Sequence, residues 1–281
     1  MLLWYQKHVV VGDADQTHPD HLALLDKLYA EHAAKAIASL DTTEKISVEI
    51  HGLPPGTYDG MLPEHLVGYG QFGLRFGHYF AKTAIMAEEA GFDAWISGAG
   101  QDPGLAAARV DASIPVVGYG EATWHLARRE GHRLGLLGFG PLKEPITANI
   151  AAAGADLADY QVIEKGPELV QRALAKEDFD PLMEAYAEAA KAAAKAGAQW
   201  LVPAEGISNV IFAHLGVEEL GGLHVVDPGG VAIHTAVQLC QMRAAGIIAR
   251  PTTGYWRKRA PRELVQRVDH TLDSAIGARR R

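Results

Sequence analysis

Two short stretches of the sequence carry side chains suited to proton transfer. Glu205 stands in Pro203-Ala204-Glu205-Gly206, directly after the run Trp200-Leu201-Val202 and before a helical pattern. Partial burial at such a strand-to-helix turn raises a carboxyl pKa toward the range useful for general acid–base work. The same position also suits a carboxylate that only complements a helix start. Asp102 occupies the corresponding stretch Ser97-Gly98-Ala99-Gly100-Gln101-Asp102-Pro103. There it reads equally as an N-cap, with Pro103 at the first helical position.

Around these two acids the sequence gathers groups able to hold a carboxylate or imide oxygen. Ser97, Gln101, Ser208, Asn209 and Glu121 supply polar side chains, and Gly98, Ala99, Gly100, Ala204 and Gly206 supply backbone next to helix starts. His51 and Tyr58 follow a strand pattern in a loop rich in turn formers, where a functional and a structural use are both open. Thr17, before Pro19 and Asp20, fits a cap and is also taken as a substrate-binding candidate. The catalytic set is therefore Glu205, with Asp102 or His51 opposite it. No metal site is expected, because His18, Asp20 and His21 are not followed by partners at ligand spacing.

The elements that would position these groups repeat. Gly91 at the end of one Ala-rich helical run recurs as Gly197 at the end of another, and Gly100 recurs as Gly206, at the same 106-residue offset. Farther on, Val116 and His125 recur as Val225 and His234, offset by 109. Strand patterns over residues 8–12, 46–50, 93–97 and 114–117 form one half; those over 133–137, 159–163, 199–202 and 223–226 form the other. Helices between them make the sheets parallel with right-handed crossovers. The expected fold class is α/β: two pseudo-symmetric flavodoxin-like lobes, each with a four-stranded parallel sheet. Residues 1–118 plus 228–281 form lobe 1 and 119–227 form lobe 2. A helix over 63–90, one starting at Asp227-Pro228 and a last one over 260–276 packed on lobe 1 complete the pattern. Ligands of open parallel sheets sit beyond the carboxyl ends of the strands, so the site belongs in the interlobe cleft.

Bulk composition removes several functions. A net charge of −8 argues against a nucleic-acid partner, and the terminal Arg279-Arg280-Arg281 is too short to change that. No run approaches a membrane span and no signal-peptide pattern opens the chain, so a cytoplasmic location and no membrane partner are expected. The one cysteine, Cys240, lies in an apolar helical run and reads as a buried structural thiol. Gly98-Ala99-Gly100 and Gly118-Tyr119-Gly120 lack the third glycine and acidic residue of a dinucleotide fingerprint. Neither a phosphate-loop lysine nor a Gly-x-Ser-x-Gly elbow occurs. No cofactor is expected; the partner is a small molecule, and homo-oligomer formation is left open.

Gly91-Phe92-Asp93-Ala94, then Asp102-Pro103-Gly104-Leu105 and Ile114-Pro115-Val116-Val117-Gly118, resemble the aspartate/glutamate/hydantoin racemase superfamily over most of the chain. The resemblance implies a cofactor-independent enzyme in which two thiols, one from each lobe, flank the substrate α-carbon. At the positions of those thiols this sequence has Gly98, with one extra residue before Asp102, and Ala204. Neither transfers a proton, which excludes the two-thiol reaction. What remains is a racemase- or isomerase-like enzyme for a small carboxylate, amino-acid derivative or cyclic imide, worked by carboxylates. A hydrolase or lyase in the same cleft, or a non-catalytic binding protein, is the alternative.

Overall fold

The computed structural model describes residues 1–10, 19–58 and 63–278. The first sheet is built from β1 (Leu2–Val10), β2 (Ser47–Leu53), β3 (Ala94–Ser97) and β4 (Val116–Gly118), in the order β2-β1-β3-β4 and parallel throughout. Helices α1 (Pro19–Ala38), α2 (Glu64–Val67), α3 (Gly70–Glu89) and α4 (Leu105–Asp111) connect these strands. The chain continues through α5 (Tyr119–Glu130), β5 (Leu134–Gly138), α6 (Lys143–Ala153), β6 (Leu157–Val162), α7 (Gly166–Lys176), α8 (Asp180–Lys195), β7 (Trp200–Pro203) and α9 (Gly206–Leu215). It then adds β8 (Glu219–Leu220) and β9 (Leu223–Val225) before α10 (Pro228–Ala244) and α11 (Arg262–Ala278).

The second sheet runs β6-β5-β7-β9-β8, so its first four strands repeat the order of the first sheet. The expected four strands become five. β8 pairs antiparallel with β9 across Gly221-Gly222, both at positive φ, which is the backbone of a two-residue hairpin. Strands β3 and β5 are buried along their whole length because helices cover both faces of each sheet. One apolar core joins the lobes through α1, running from Leu3, Tyr5 and Ile96 to Leu137, Tyr186 and Ile211. A second core lies under α3 and α4, and a third lies under α5 and α6.

Other elements depart from expectation. β1 begins at Leu2 rather than residue 8, since Leu2-Leu3-Trp4-Tyr5 already pairs with β2. The helix expected over 63–90 breaks into α2 and α3, with Tyr69 extended between them at φ −110° and ψ 122°. Asp227 caps α10 as expected, accepting from the Gly230 amide at 2.9 Å. The last helix forms, but it does not bury itself on lobe 1: every described side chain of α11 except Asp269 is exposed. Thr17 lies outside the described residues.

Candidate functional site

The turns after β3 and β7 meet. Gly98 donates its amide to Gln6 O at 2.8 Å, and Ala204 donates to Leu137 O at 2.8 Å, so each turn continues its own sheet. The two then pack backbone on backbone. A Cβ at Gly100 would stand 1.8 Å from Ala204 O, and one at Gly206 would stand 2.7 Å from Gly98 O. Glycine here is a condition of the contact. Two side-chain bonds fasten it: Tyr119 Oη donates to Pro203 O at 3.0 Å, and Asn149 Nδ2 donates to Gln101 O at 2.9 Å.

Glu205 is 7% exposed and turns into lobe 2. Its Oε1 accepts the Phe139 amide at 2.7 Å, while its Oε2 is buried without a hydrogen-bond partner. Burial pushes this carboxyl up to about 8 against the opposing pull of the Phe139 amide. Around it stand three buried phenols. Tyr160 Oη donates to Phe139 O at 3.1 Å, Tyr186 shares a short hydrogen bond with Ser208, and Tyr119 belongs to the fastening described above. Burial raises all three phenols, and the Glu205 charge raises each further. The carboxyl thus sits in a low-dielectric pocket with one oxygen fixed and the other free.

Asp102 is also buried but differently employed. It does not cap the helix after it: that helix begins at Leu105, behind Gly104 at φ 72°, and Asp102 itself has φ 49°. Its oxygens instead accept the amides of Gly120 at 3.3 Å and Glu121 at 2.6 Å, at the start of α5. A Cβ at Gly118 would stand 2.7 Å from the Asp102 carboxyl. Burial pushes Asp102 up to about 8, opposed mainly by the Glu121 amide. Glu121 is engaged by Arg109, which holds its carboxyl low despite burial.

Other sequence-selected residues scatter. His51 stacks flat on Trp4, ring centroids 3.3 Å apart, beside Phe92 and on the α3 side of the first sheet. Tyr58 Oη reaches His8 Nδ1 at 2.9 Å on that same side. Neither joins the groups around Glu205. Ser97 shares the face of Trp95, with its hydroxyl buried and unpartnered, and Ala99 lies in the core under α3. Ser208 binds Tyr186, and Asn209 ties α9 to α10 through Asp227 at 2.8 Å and the Gly229 amide at 2.8 Å. Cys240 is half-buried on α10 beside Asp93, at the far end of β3 from the turn, and burial pushes its thiol up to about 11.

Sequence reasoning missed the residues that wall the contact from lobe 1. A Cβ at Gly98 would stand 2.3 Å from the Tyr5 ring, so Tyr5 fills the space of any side chain there. Tyr29 Oη would lie 2.9 Å from a Cβ at Gly206. Lys7 is fully buried, ion-paired with Asp26 and 5.2 Å from the Tyr29 ring. Burial lowers its pKa more than Asp26 raises it. The signal lay in polar residues within an apolar strand, Gln6-Lys7. A groove of about 1010 Å³ is lined by Arg109, Glu121, His125, Trp200, Asp227 and His234 among others, so both repeated histidines belong to its wall. Among the described residues no cluster of three or more His, Cys, Asp or Glu is set to hold a metal, and no helix is long and apolar enough to cross a membrane.

Solved structures share this fold. Allantoin racemase from Klebsiella pneumoniae superposes with a TM-score of 0.63 at 16% identity, covering 93% of this chain and 95% of that one. Allantoin racemase from Pseudomonas fluorescens gives 0.61 at 18% identity, covering 93% and 98%. A glycine-to-cysteine mutant of arylmalonate decarboxylase gives 0.54 at 15% identity, covering 92% and 100%. At these identities the likeness is one of fold. No curated protein sequence matches the chain. The family model described as Asp/Glu/Hydantoin racemase matches residues 73–236, more than half of the chain and both facing turns. The chain belongs to the Asp/Glu/hydantoin racemase family.

Proposed function

We propose that this chain is a cofactor-independent racemase- or isomerase-like enzyme that moves a proton at a carbon next to a carboxylate or imide carbonyl, with Glu205 as the acid–base group. The observation carrying this reading is the buried Glu205 carboxyl at the interlobe contact, one oxygen held by the Phe139 amide and the other unpartnered. A carboxyl at about 8 has both proton-holding and proton-accepting forms populated near neutral pH. As base, Oε2 takes the α-proton, the carbanion's charge spreads into the neighbouring carbonyl, and backbone amides of the facing turns hold that oxygen. Asp102 serves as a positioning residue that fixes the start of α5, and His51 takes no part. The substrate class is a small carboxylate, amino-acid derivative or cyclic imide.

A second reading, a lyase, rests on the count of free acids. Both Asp102 oxygens accept amides, so one acid, Glu205, stands ready to deliver a proton. Loss of carbon dioxide from a substrate carboxylate leaves a carbanion, and the protonated Glu205 quenches it from one face.

Single enantiomers of candidate substrates incubated in deuterated water separate the readings. Exchange of the α-proton without net product supports proton transfer, whereas a mass loss of carbon dioxide or gain of water supports lyase or hydrolase chemistry. Glu205→Gln, folded by circular dichroism, is expected to lose activity by about 10²–10⁴-fold. Unchanged turnover removes Glu205 from this role. Ligand-dependent melting without turnover of any substrate would make the chain a binding protein.

A further inference from the structure

Among the described residues six tyrosines are buried, and four of them bond their hydroxyls within the protein. Tyr58 donates to His8 O, Tyr119 to Pro203 O and Tyr160 to Phe139 O, and Tyr186 shares its bond with Ser208. Tyr5 on β1 and Tyr29 on α1 are the exceptions. They are 2% and 3% exposed, and among the described residues neither hydroxyl has a hydrogen-bond partner, nor is either wholly sealed. A buried phenol ordinarily finds a partner, because leaving it unbonded costs the solvation it had in water.

Both hydroxyl ends lie at the interlobe contact. Tyr29 Oη and Gly98 O stand 2.9 and 2.7 Å from one point, the position of a Cβ on Gly206, so this hydroxyl sits where the turns touch and beside the backbone that follows Glu205. In Tyr5 the hydroxyl-bearing carbon, Cζ, stands 2.8 Å from the position of a Cβ on Gly98. The two rings are 6.1 Å apart. Each facing turn therefore has the polar end of one unpartnered phenol against its glycine.

We propose that the Tyr5 and Tyr29 hydroxyls hold a substrate oxygen at the interlobe contact, donating to the carboxylate or imide carbonyl on which negative charge collects. The assignment rests on the proton-transfer reading above. As Glu205 Oε2 takes the α-proton, the C–H electron pair moves into the carbonyl, and the phenols stabilise that oxygen without giving up their own protons. Burial raises both phenols, Asp26 raises Tyr29 further and Tyr29 raises Tyr5, so each remains a donor through the neutral range.

Tyr29→Phe and Tyr5→Phe each delete one oxygen and keep the ring, including the Tyr29 face against Lys7. Because the free protein makes no bond through either hydroxyl, each variant is expected to melt at or above the wild-type temperature, while α-proton exchange in deuterated water falls about 10²–10³-fold. Melting shifts with malonate and with hydantoin as probes give a reading independent of turnover: the stabilisation that wild type gains is expected to shrink in both variants. Unchanged exchange with unchanged probe shifts overturns the proposal and leaves the proton-transfer reading intact. A lowered melting temperature with exchange unaffected overturns it too, by making the hydroxyls part of the resting fold. Wild type that exchanges no α-proton, yet whose probe shifts vanish in both variants, upholds the phenol site and removes the reaction. Wild type with neither exchange nor a probe shift overturns both.

Discussion

The turns after β3 and β7 occupy equivalent places in the repeat, each at the end of a central strand and each carrying a buried acid pushed up to about 8. Their surroundings differ. In lobe 1 the acid comes four residues after Gly98, and both its oxygens are committed to the start of α5. In lobe 2 the acid follows Ala204 directly, and one oxygen is left over. Burial alone gives both carboxyls a raised pKa; an uncommitted oxygen distinguishes a group that can exchange a proton with a ligand from one that organises the backbone. Perturbed ionisation is thus a poor guide to function until its hydrogen-bond partners are known.

The contact between the turns is the largest structural commitment, and breaking it should produce the largest effect. Gly100→Ala puts a methyl 1.8 Å from a backbone oxygen that has no side-chain freedom to yield. The lobes must separate or the turn must rebuild. We expect a loss of about 3 kcal/mol or more in urea denaturation, at the upper end of overpacking costs. Wild-type stability in this variant would mean that the turns do not meet as described.

The second test compares the acids by titration. Each carboxyl has a folded-state pKa raised above its unfolded value, so the folded state binds the extra proton. Such a group contributes stability that is fully present below the unfolded pKa, near 4, and is lost as pH rises through about 8. Wild-type stability should therefore fall between pH 5 and 9. Glu205→Gln cannot ionise and should flatten that fall, its advantage over wild type growing by up to a few kcal/mol across the window. Denaturant midpoints at pH 5, 7 and 9 supply the check. Parallel curves for the two proteins would show that Glu205 is ionised throughout.

Gly98→Cys restores a thiol where the family resemblance implies one. The new Cβ meets the Tyr5 ring at 2.3 Å, so we expect a cost of about 1–3 kcal/mol. Tyr5→Phe keeps the clashing ring carbon and should not relieve it, while Tyr5→Ala should recover part of the loss relative to its own background. A double-mutant cycle by thermal melting measures the coupling. Strict additivity would show that the ring does not occupy this space.

Much of this frame was legible in the sequence, because strand and helix alternation and the 106-residue offset follow from local periodicity. That the turns face one another followed from the strand ends on which they sit. What escaped were consequences of three-dimensional closure. Asp102-Pro103 satisfies every local rule for a helix start, yet the carboxylate serves a helix beginning at Tyr119, through a positive-φ turn that local rules do not anticipate. The roles of Tyr5, Tyr29 and Lys7 depend on α1 crossing the lobes, and His51 was drawn away by Trp4, a stacking partner on the neighbouring strand but far off in sequence. The hairpin of β8 was signalled by Gly221-Gly222, but a two-residue strand has no periodicity to read.

The smallest expected effect gives the sharpest division between the acids. Asp102→Asn keeps an oxygen that can accept the Glu121 amide, and Asn and Asp cap helices about equally well. The charge it removes is one that burial already disfavours at neutral pH. Stability at pH 6 should therefore change by about 0.5 kcal/mol, with α-proton exchange within a few-fold of wild type. A folded Asp102→Asn protein that loses exchange as completely as Glu205→Gln would make the two turns chemically equivalent, with Asp102 supplying the second proton from lobe 1. The asymmetry between the lobes would then be one of resting hydrogen bonds, broken when substrate enters, and not one of function.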